Sequence, residues 1–503
     1  MRTTHILILL LVAAGAVWLT TWVDNGLGVC WTHNVVRNWE QFGFFNLHGK
    51  LVSNPGGFEA VTNPDVYAGH RAVSLYPVFF LYHVLGAGKW GIFVYYALLA
   101  IMVAGSIWQL LGKTERAFWL ADIVVLTPGY IRWQTTIDPN LVAVLFGFPF
   151  SAAVIALLSR PVLTGKHWTI LVLVVLLFSA LNWTTVFVDA TLFVTLLVLG
   201  RIPLRRLVIF AGLTAVLAGA VVLVSVASKA GEHAGAGGGL AKLLRSYGWG
   251  NEGYGLDLST TTACLRLLAV NLMGLLPVLV LLGWQLWQDR GQRVQGGLIF
   301  LLPVLVPVVE VLGMRNYFGH HPWMSVHFIL LGIMLAAVAW RARVAAAPAE
   351  KIETRLPPAL GAGGLAVTLL YGAMVMAMTY ANTERETNLI VLVREHSARP
   401  ATIVIARDTD PDLAAIELRL PELIDRRIVV IPTISDVATV PAPRVVLTAV
   451  RPAPGGVVAE TSQAGNGPVL NKLIGWYSHY IAHRRAGDKL EIGDKYFLGQ
   501  AVE

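Results

Sequence analysis

The stretch LVAVLFGFPFSAAVIALL (Leu141–Leu158) carries no charged residue. At about 1.5 Å per residue it is about 27 Å long, within the range of helices that cross the ~30 Å hydrocarbon layer of a bilayer. Runs of the same kind recur along the chain. They predict about eleven transmembrane helices, over His5–Val23, Trp90–Leu111, Phe118–Tyr130, Leu141–Leu158, Trp168–Leu181, Thr185–Leu199, Leu207–Ala227, Leu265–Trp287, Gly297–Leu312, Trp323–Trp340 and Leu360–Tyr380. A shorter run, Ser74–Ala87, is expected either to lie in the interface or to extend the second helix.

Composition agrees. Of 503 residues, 56% are hydrophobic and only 14% are charged, with a mean hydropathy of +0.64. A soluble domain would carry far more charge. The fold class expected is an α-helical polytopic membrane protein. The net charge of +8 does not point to nucleic acid, because the basic residues gather in short loops, as topology demands. Two cysteines, Cys30 and Cys264, are too few for a disulfide framework and are expected as free thiols. The N-terminal run lacks a clear small-residue cleavage site and is read as a retained first helix.

With the N-terminus inside, the inner loops hold Lys113 and Arg116; Arg160 and Lys166; Arg201, Arg205 and Arg206; Arg290 and Arg293; and Arg341, Arg343, Lys351 and Arg355. Every inner loop is then basic. The outer segments hold Asp24, Glu40, Glu59, Asp65, Asp138, Glu232, Glu252 and Asp257. The loops 24–72 and 229–260 and the tail are therefore external. The membrane domain covers 1–380. The tail, 381–503, is expected to be a small α/β domain, with strands at Ala401–Ala406, Arg426–Ile431 and Arg444–Val450 and a helix over Pro411–Asp425. It has no glycine-rich phosphate loop between strand and helix.

The segment WVDNGLGVCWTHNVVRNWEQFG (Trp22–Gly43) leaves the first span on an acid, Asp24. An aspartate at a helix end costs little, so its presence alone decides nothing. From Asn34 to Phe45, however, helical periodicity puts Val35, Trp39 and Phe42 on one face and Arg37 and Glu40 on another. Such a helix is expected along the membrane surface, apolar face down. It would hold Asp24 at the lipid–water boundary, where a carboxylate can take a proton from an incoming hydroxyl.

Asp24 just after the first span, the R-N-W-x-x-F-G-F segment from Arg37 to Phe44, then Tyr67, His70 and Tyr76–Pro77 resemble the integral-membrane GT-C glycosyltransferases. The pattern is most similar to bacterial relatives of the protein O-mannosyltransferase family. The resemblance implies a polyprenyl-phosphate sugar donor, inversion at the anomeric carbon, and Asp24 as catalytic base. One departure is Asn25, where many relatives carry a second acid.

A departing lipid phosphate needs cations or hydrogen-bond donors. Arg132, with Asp138 nearby, Arg315, with His320 and His321, and Arg71 with His70 fall at outer turns. Arginine suits phosphate because its planar fork binds two oxygens; each arginine is equally readable as a snorkelling anchor. Glu40 and Tyr76 complete the expected substrate contacts. No metal ligand is assigned. His320 and His321, being adjacent, do not share a helix face as zinc histidines do, and a divalent metal stays open. Asn182-Trp183-Thr184 matches a glycosylation sequon in letters but is read as a plain turn. Expected partners are the polyprenyl-phosphate sugar, an acceptor that is a lipid, glycan or protein, and membrane lipids. The expected location is the inner (plasma) membrane, with the active face periplasmic or extracellular. The competing readings are a transporter or flippase for a lipid-linked substrate and a non-catalytic GT-C-like protein of glycan assembly.

Overall fold

The computed structural model describes residues 27–52, 72–85, 89–113, 139–182, 184–232, 301–313, 322–344, 402–406, 428–448, 457–460 and 497–500, with isolated positions between them. The described helices are α1 (Leu27–Phe42), α2 (Tyr76–Leu85), α3 (Lys89–Leu110), α4 (Pro139–Leu158), α5 (Gly165–Leu181), α6 (Thr185–Leu199), α7 (Leu204–Glu232), α8 (Leu302–Gly313) and α9 (Pro322–Val344). Helices α3 to α9 fall on expected spans. Two described segments, Leu141–Leu158 and Ser325–Ala342, are long and apolar enough to cross a membrane by length and composition, and shorter apolar helices accompany them. The first expected span, His5–Val23, lies outside the described residues. Only scattered positions are described within Phe118–Tyr130, Leu265–Trp287 and Leu360–Tyr380.

Local chemistry sets the helix ends. Pro139 opens α4 and Pro322 opens α9, where a missing N–H costs nothing. Helix α3 closes through Gly112 and Lys113, both at positive φ, with the Lys113 N–H donating to the Trp108 carbonyl at 2.9 Å. Helix α6 closes on Gly200 at φ +64°, whose N–H donates to the Leu197 carbonyl.

The bundle core is apolar and tight. Phe150 of α4 stacks on Phe178 of α5 at 3.9 Å between ring centroids. Phe187 of α6 meets Phe328 of α9 at 6.0 Å. Gly147 of α4 sits where α6 and α9 converge: a Cβ there would fall 2.9 Å from Val188 and 3.1 Å from Leu331. Small residues at such crossings let helix backbones approach. The outer faces of α5 and α7 are also apolar. Leu177 is 68% exposed and Leu223 70% exposed, a surface suited to lipid rather than to water.

The basic loops meet at one end. The Arg201 guanidinium donates to the Ala342 carbonyl at the end of α9. Arg206 donates to the carbonyls of Leu158 (2.9 Å) and Pro161 (2.8 Å) after α4. The Arg341 guanidinium lies against Gly112 after α3. Loops assigned to one side by charge alone are therefore neighbours in space.

Helix α3 runs from that end back towards α1 and α2, about 33 Å away by its rise. Its Tyr95 hydroxyl donates to the Ser74 carbonyl at 3.0 Å. This holds a short 3₁₀ turn, Ala72–Leu75, which leads directly into α2. The run Ser74–Ala87 is thus a separate short helical element and not an extension of α3.

A five-stranded sheet has the order β2-β1-β3-β5-β4, with β1 (Thr402–Ala406), β2 (Ile428–Ile431), β3 (Arg444–Thr448), β4 (Val457–Glu460) and β5 (Phe497–Gln500). Strand β1 pairs in parallel with β2 and β3, while β5 runs antiparallel to β3 and β4. The three expected strands are present. Strands β4 and β5 were not expected, and the helix over Pro411–Asp425 lies outside the described residues.

Candidate functional site

Helix α1 is the described part of the site, and its register follows the sequence. Thr32, Val35, Val36 and Trp39 are buried along one face, and Phe42 packs partly against the same core. The chain then turns at Gly43 (φ +89°) and folds back. The Trp39 indole donates to the Lys50 carbonyl at 2.7 Å, and the Asn38 amide donates to the Val52 carbonyl at 2.9 Å. The Asn46 amide reaches the Phe42 carbonyl, closing the helix end.

This buried face differs from the expectation in one respect. It is not laid down into lipid but is used on protein. Trp39 is surrounded by Phe44 (5.3 Å), Tyr76 (5.8 Å) and Phe79 (5.7 Å), and Phe44 stacks on Phe79. Aromatic pairs in these edge and stacked geometries add to plain burial. The apolar side chains left exposed are instead Phe45 (85%) and, on α2, Phe80, Val84 and Leu85. They form the part of this end suited to the interface.

Two of the expected site residues are described. Glu40, on the free side of α1, lies 3.0 Å through both carboxylate oxygens from Nδ1 of His83 on α2. Tyr76 borders the aromatic cluster with its ring partly exposed, and partial burial raises its hydroxyl above the usual range. Asp24, His70, Arg71, Arg132, Asp138, Arg315, His320 and His321 lie outside the described residues. Among the described residues, no three His, Cys, Asp or Glu side chains gather as a metal site needs. Asn182 is buried in the turn between α5 and α6, where its carbonyl accepts from the Thr185 hydroxyl.

Sequence reasoning missed two features. His83, the partner of Glu40, was hidden in an apolar run 43 residues away. Arg37 has Nε and Nη2 buried with no acceptor among the described residues. Asp189, near the start of α6, was visible in the sequence as an acid near the outer end of an apolar run; it is 5% exposed, and neither carboxyl oxygen has a partner among the described residues.

The Glu40–His83 pair is open to water, with side chains 35% and 65% exposed. Exposed pairs contribute about 0–1 kcal/mol. Glu40→Gln is therefore expected to leave the melting temperature of purified protein nearly unchanged. A large drop would show that the pair holds α1 to α2.

No protein-family model matches the chain, and no curated protein matches it. Among solved structures, the chain is similar to the archaeal oligosaccharyltransferase AglB from Archaeoglobus fulgidus, in complex with an inhibitory peptide and a dolichol-phosphate. Identity is 11% and the TM-score 0.44, over 86% of this chain and 64% of the other. The chain thus spans somewhat less than two thirds of that protein's length.

Proposed function

We propose that the protein transfers a sugar from a polyprenyl-phosphate donor to an acceptor hydroxyl on the external face of the membrane, with inversion. Asp24 is the general base. It takes the acceptor proton as the new O–C1 bond forms and the bond from C1 to the phosphate oxygen breaks, leaving the polyprenyl phosphate in the bilayer. The external α/β domain, 381–503, belongs to the same face. The acceptor is a lipid, a glycan or a protein.

The observation that supports this reading most is the anchoring of α1. Asp24 precedes Leu27 by three residues, a reach of about 10 Å at most. Helix α1 is fixed by the Trp39–Lys50 and Asn38–Val52 hydrogen bonds. It lies at the end of the bundle opposite the basic loops, beside exposed Phe45 and Phe80. A base tethered to a rigid element at an interface suits a donor whose phosphate sits at that depth.

Purified wild type and Asp24→Asn should be compared with a radiolabelled panel of polyprenyl-phosphate sugars and a membrane extract as acceptor. General-base loss is expected to slow transfer by about 10²–10⁴-fold, with donor binding retained. Equal transfer by both proteins would remove Asp24 from the chemistry.

Asp189 favours a second reading, a transporter for a lipid-linked substrate, since unpaired acids inside spans mark pathways. Flux across vesicles that falls in Asp189→Asn, without any sugar transfer by wild type, would decide for it.

A further inference from the structure

The basic end of the bundle carries charge that the described chain does not balance. Arg206 of α7 donates to the Leu158, Arg160 and Pro161 carbonyls, which draws the turn after α4 to the start of α7. Nη1 of Arg160 lies 2.7 Å from Nε2 of His167, in the first turn of α5. Arg201 donates to the Ala342 carbonyl. Each of these partners is a backbone carbonyl or a ring nitrogen. The segments described at this end, 111–113, 158–168, 199–207 and 340–344, contain no aspartate or glutamate. Arg160, Lys166, Arg201, Arg205 and Arg206 are thus gathered with no acid among the described residues, and like charges brought together repel.

Two of these cations each end an apolar face. On α5, Lys166, Ile170, Leu173 and Leu177 lie along one side of the helix, at i, i+4, i+7 and i+11, and all are exposed. On α7, Arg205, Val208, Ile209 and Val216 share the exposed side in the same way. Each strip runs eleven residues from its cation. That is about 16 Å at the rise of a helix, close to half of the ~30 Å hydrocarbon layer and so to the depth of one leaflet. Helices α5 and α7 pack side by side, and the clasp of Arg206 on the α4–α5 turn sets Lys166 and Arg205 at the same end. Both heads are exposed, so nothing has to open for a ligand to reach them.

We infer that this corner of α5 and α7 binds an anionic phospholipid, its phosphate among Arg160, Lys166 and Arg205 and its tails along the two apolar strips. A single snorkelling cation anchors a helix in any lipid. A gathered set without acids favours the lipid that carries net negative charge. The corner lies at the end of the bundle away from α1 and goes beyond the transfer reading. Lipid is held there, no bond is made or broken, and the test needs neither sugar donor nor acceptor.

The test uses full-length protein in detergent, with phosphatidylglycerol as probe and phosphatidylcholine of the same tails as the neutral lipid, bound lipid being counted by native mass spectrometry. Phosphatidylglycerol is expected to bind at least about tenfold more tightly than phosphatidylcholine. A basic residue at a membrane surface contributes about fivefold, so Arg205→Gln is expected to weaken phosphatidylglycerol about fivefold and the double variant with Lys166→Gln about 25-fold. Arg205→Lys keeps the charge and is expected to bind close to wild type. The glutamines stand at exposed positions and relieve repulsion, so without lipid these variants are expected to melt no lower than wild type. Lys50→Gln removes one exposed charge from the other end and is expected to leave binding unchanged. Glycerol phosphate has the phosphate without the tails and is expected not to compete. Competition by glycerol phosphate as strong as by the lipid would assign the corner to free phosphate and overturn the lipid. Equal affinity for the two lipids, or unchanged phosphatidylglycerol affinity in the folded double variant, would overturn the inference altogether. So would an equal loss in Lys50→Gln, which would mark an effect of net charge alone.

Discussion

Trp39→Ala is expected to collapse the interfacial end of the protein. The indole is fully buried among Phe44, Tyr76 and Phe79, and its N–H is spent on the Lys50 carbonyl. Truncating a buried tryptophan costs about 3–5 kcal/mol. Because the ring joins α1, the returning segment 43–52 and α2, the loss falls on all three. Limited proteolysis should cut near 43–52 in Trp39→Ala and not in wild type, and the proposed sugar transfer should be lost with it. Trp39→Phe keeps the ring contacts and gives up one hydrogen bond, so it is expected to cost only about 1 kcal/mol and to retain activity. If alanine were tolerated as well as phenylalanine, α1 would not be held by this cluster, and the rigid tether proposed for Asp24 would lose its basis.

The second large effect is expected far from that end. Gly332 of α9 faces α8 so closely that a Cβ would fall 2.7 Å from the Pro303 carbonyl oxygen and 2.7 Å from Cγ of Pro307. The reason lies in α8. Pro307 has no N–H, so the carbonyl four residues before it, that of Pro303, has no helical donor. Glycine brings a Cα–H to that oxygen, a weak bond common where helices touch. In Gly332→Ala a backbone carbonyl stands in the way, so the two helices must separate. Overpacking typically costs about 1–3 kcal/mol, and here the repulsion comes on top of the lost approach. Gly147→Ala is a useful contrast. Its new Cβ would first meet side chains, Val188 and Leu331, rather than a backbone carbonyl, and side chains give way more readily than backbone. Melting curves in detergent should therefore rank wild type above Gly147→Ala and Gly147→Ala above Gly332→Ala. The reverse order would mean that α8 moves freely against α9.

How far the sequence could be read depended on the range of the interaction involved. Helix α6 was legible to the residue, because an apolar run sits between a threonine pair and Gly200, and those signals are local. The register of α1 was legible for the same reason: Val35 and Trp39 share a face whatever covers it. What covers it was not legible. An amphipathic helix can spend its apolar face on lipid or on protein, and only the return of Lys50 and Val52 decides. Strands β4 and β5 were missed because VVAE and FLGQ are too short to carry a pattern; they exist by pairing with β3 and with each other. In the site, Glu40 was singled out but its partner was not, since His83 reads locally as one polar residue in an apolar helix. That two Arg37 nitrogens are buried without an acceptor among the described residues was not legible either. The sequence puts Arg37 and Glu40 on one side of the helix, and only the fold shows the acid turned to His83.

The arginines at the basic end bear on how the chain is assembled. Arg201 closes the end of α9, Arg206 the turn after α4, and Arg341 lies against the end of α3. Each clasp joins segments made at different times during synthesis. A span threaded through the bilayer in the wrong sense would carry its arginine to the far side, away from the carbonyls that await it. Bonds as exposed as these contribute about 0.5–1.5 kcal/mol each at most, so such a chain would give up a little at each contact. In a chain that crosses the membrane as its loop charges suggest, packing at this end would thus favour the same arrangement as the loop charges.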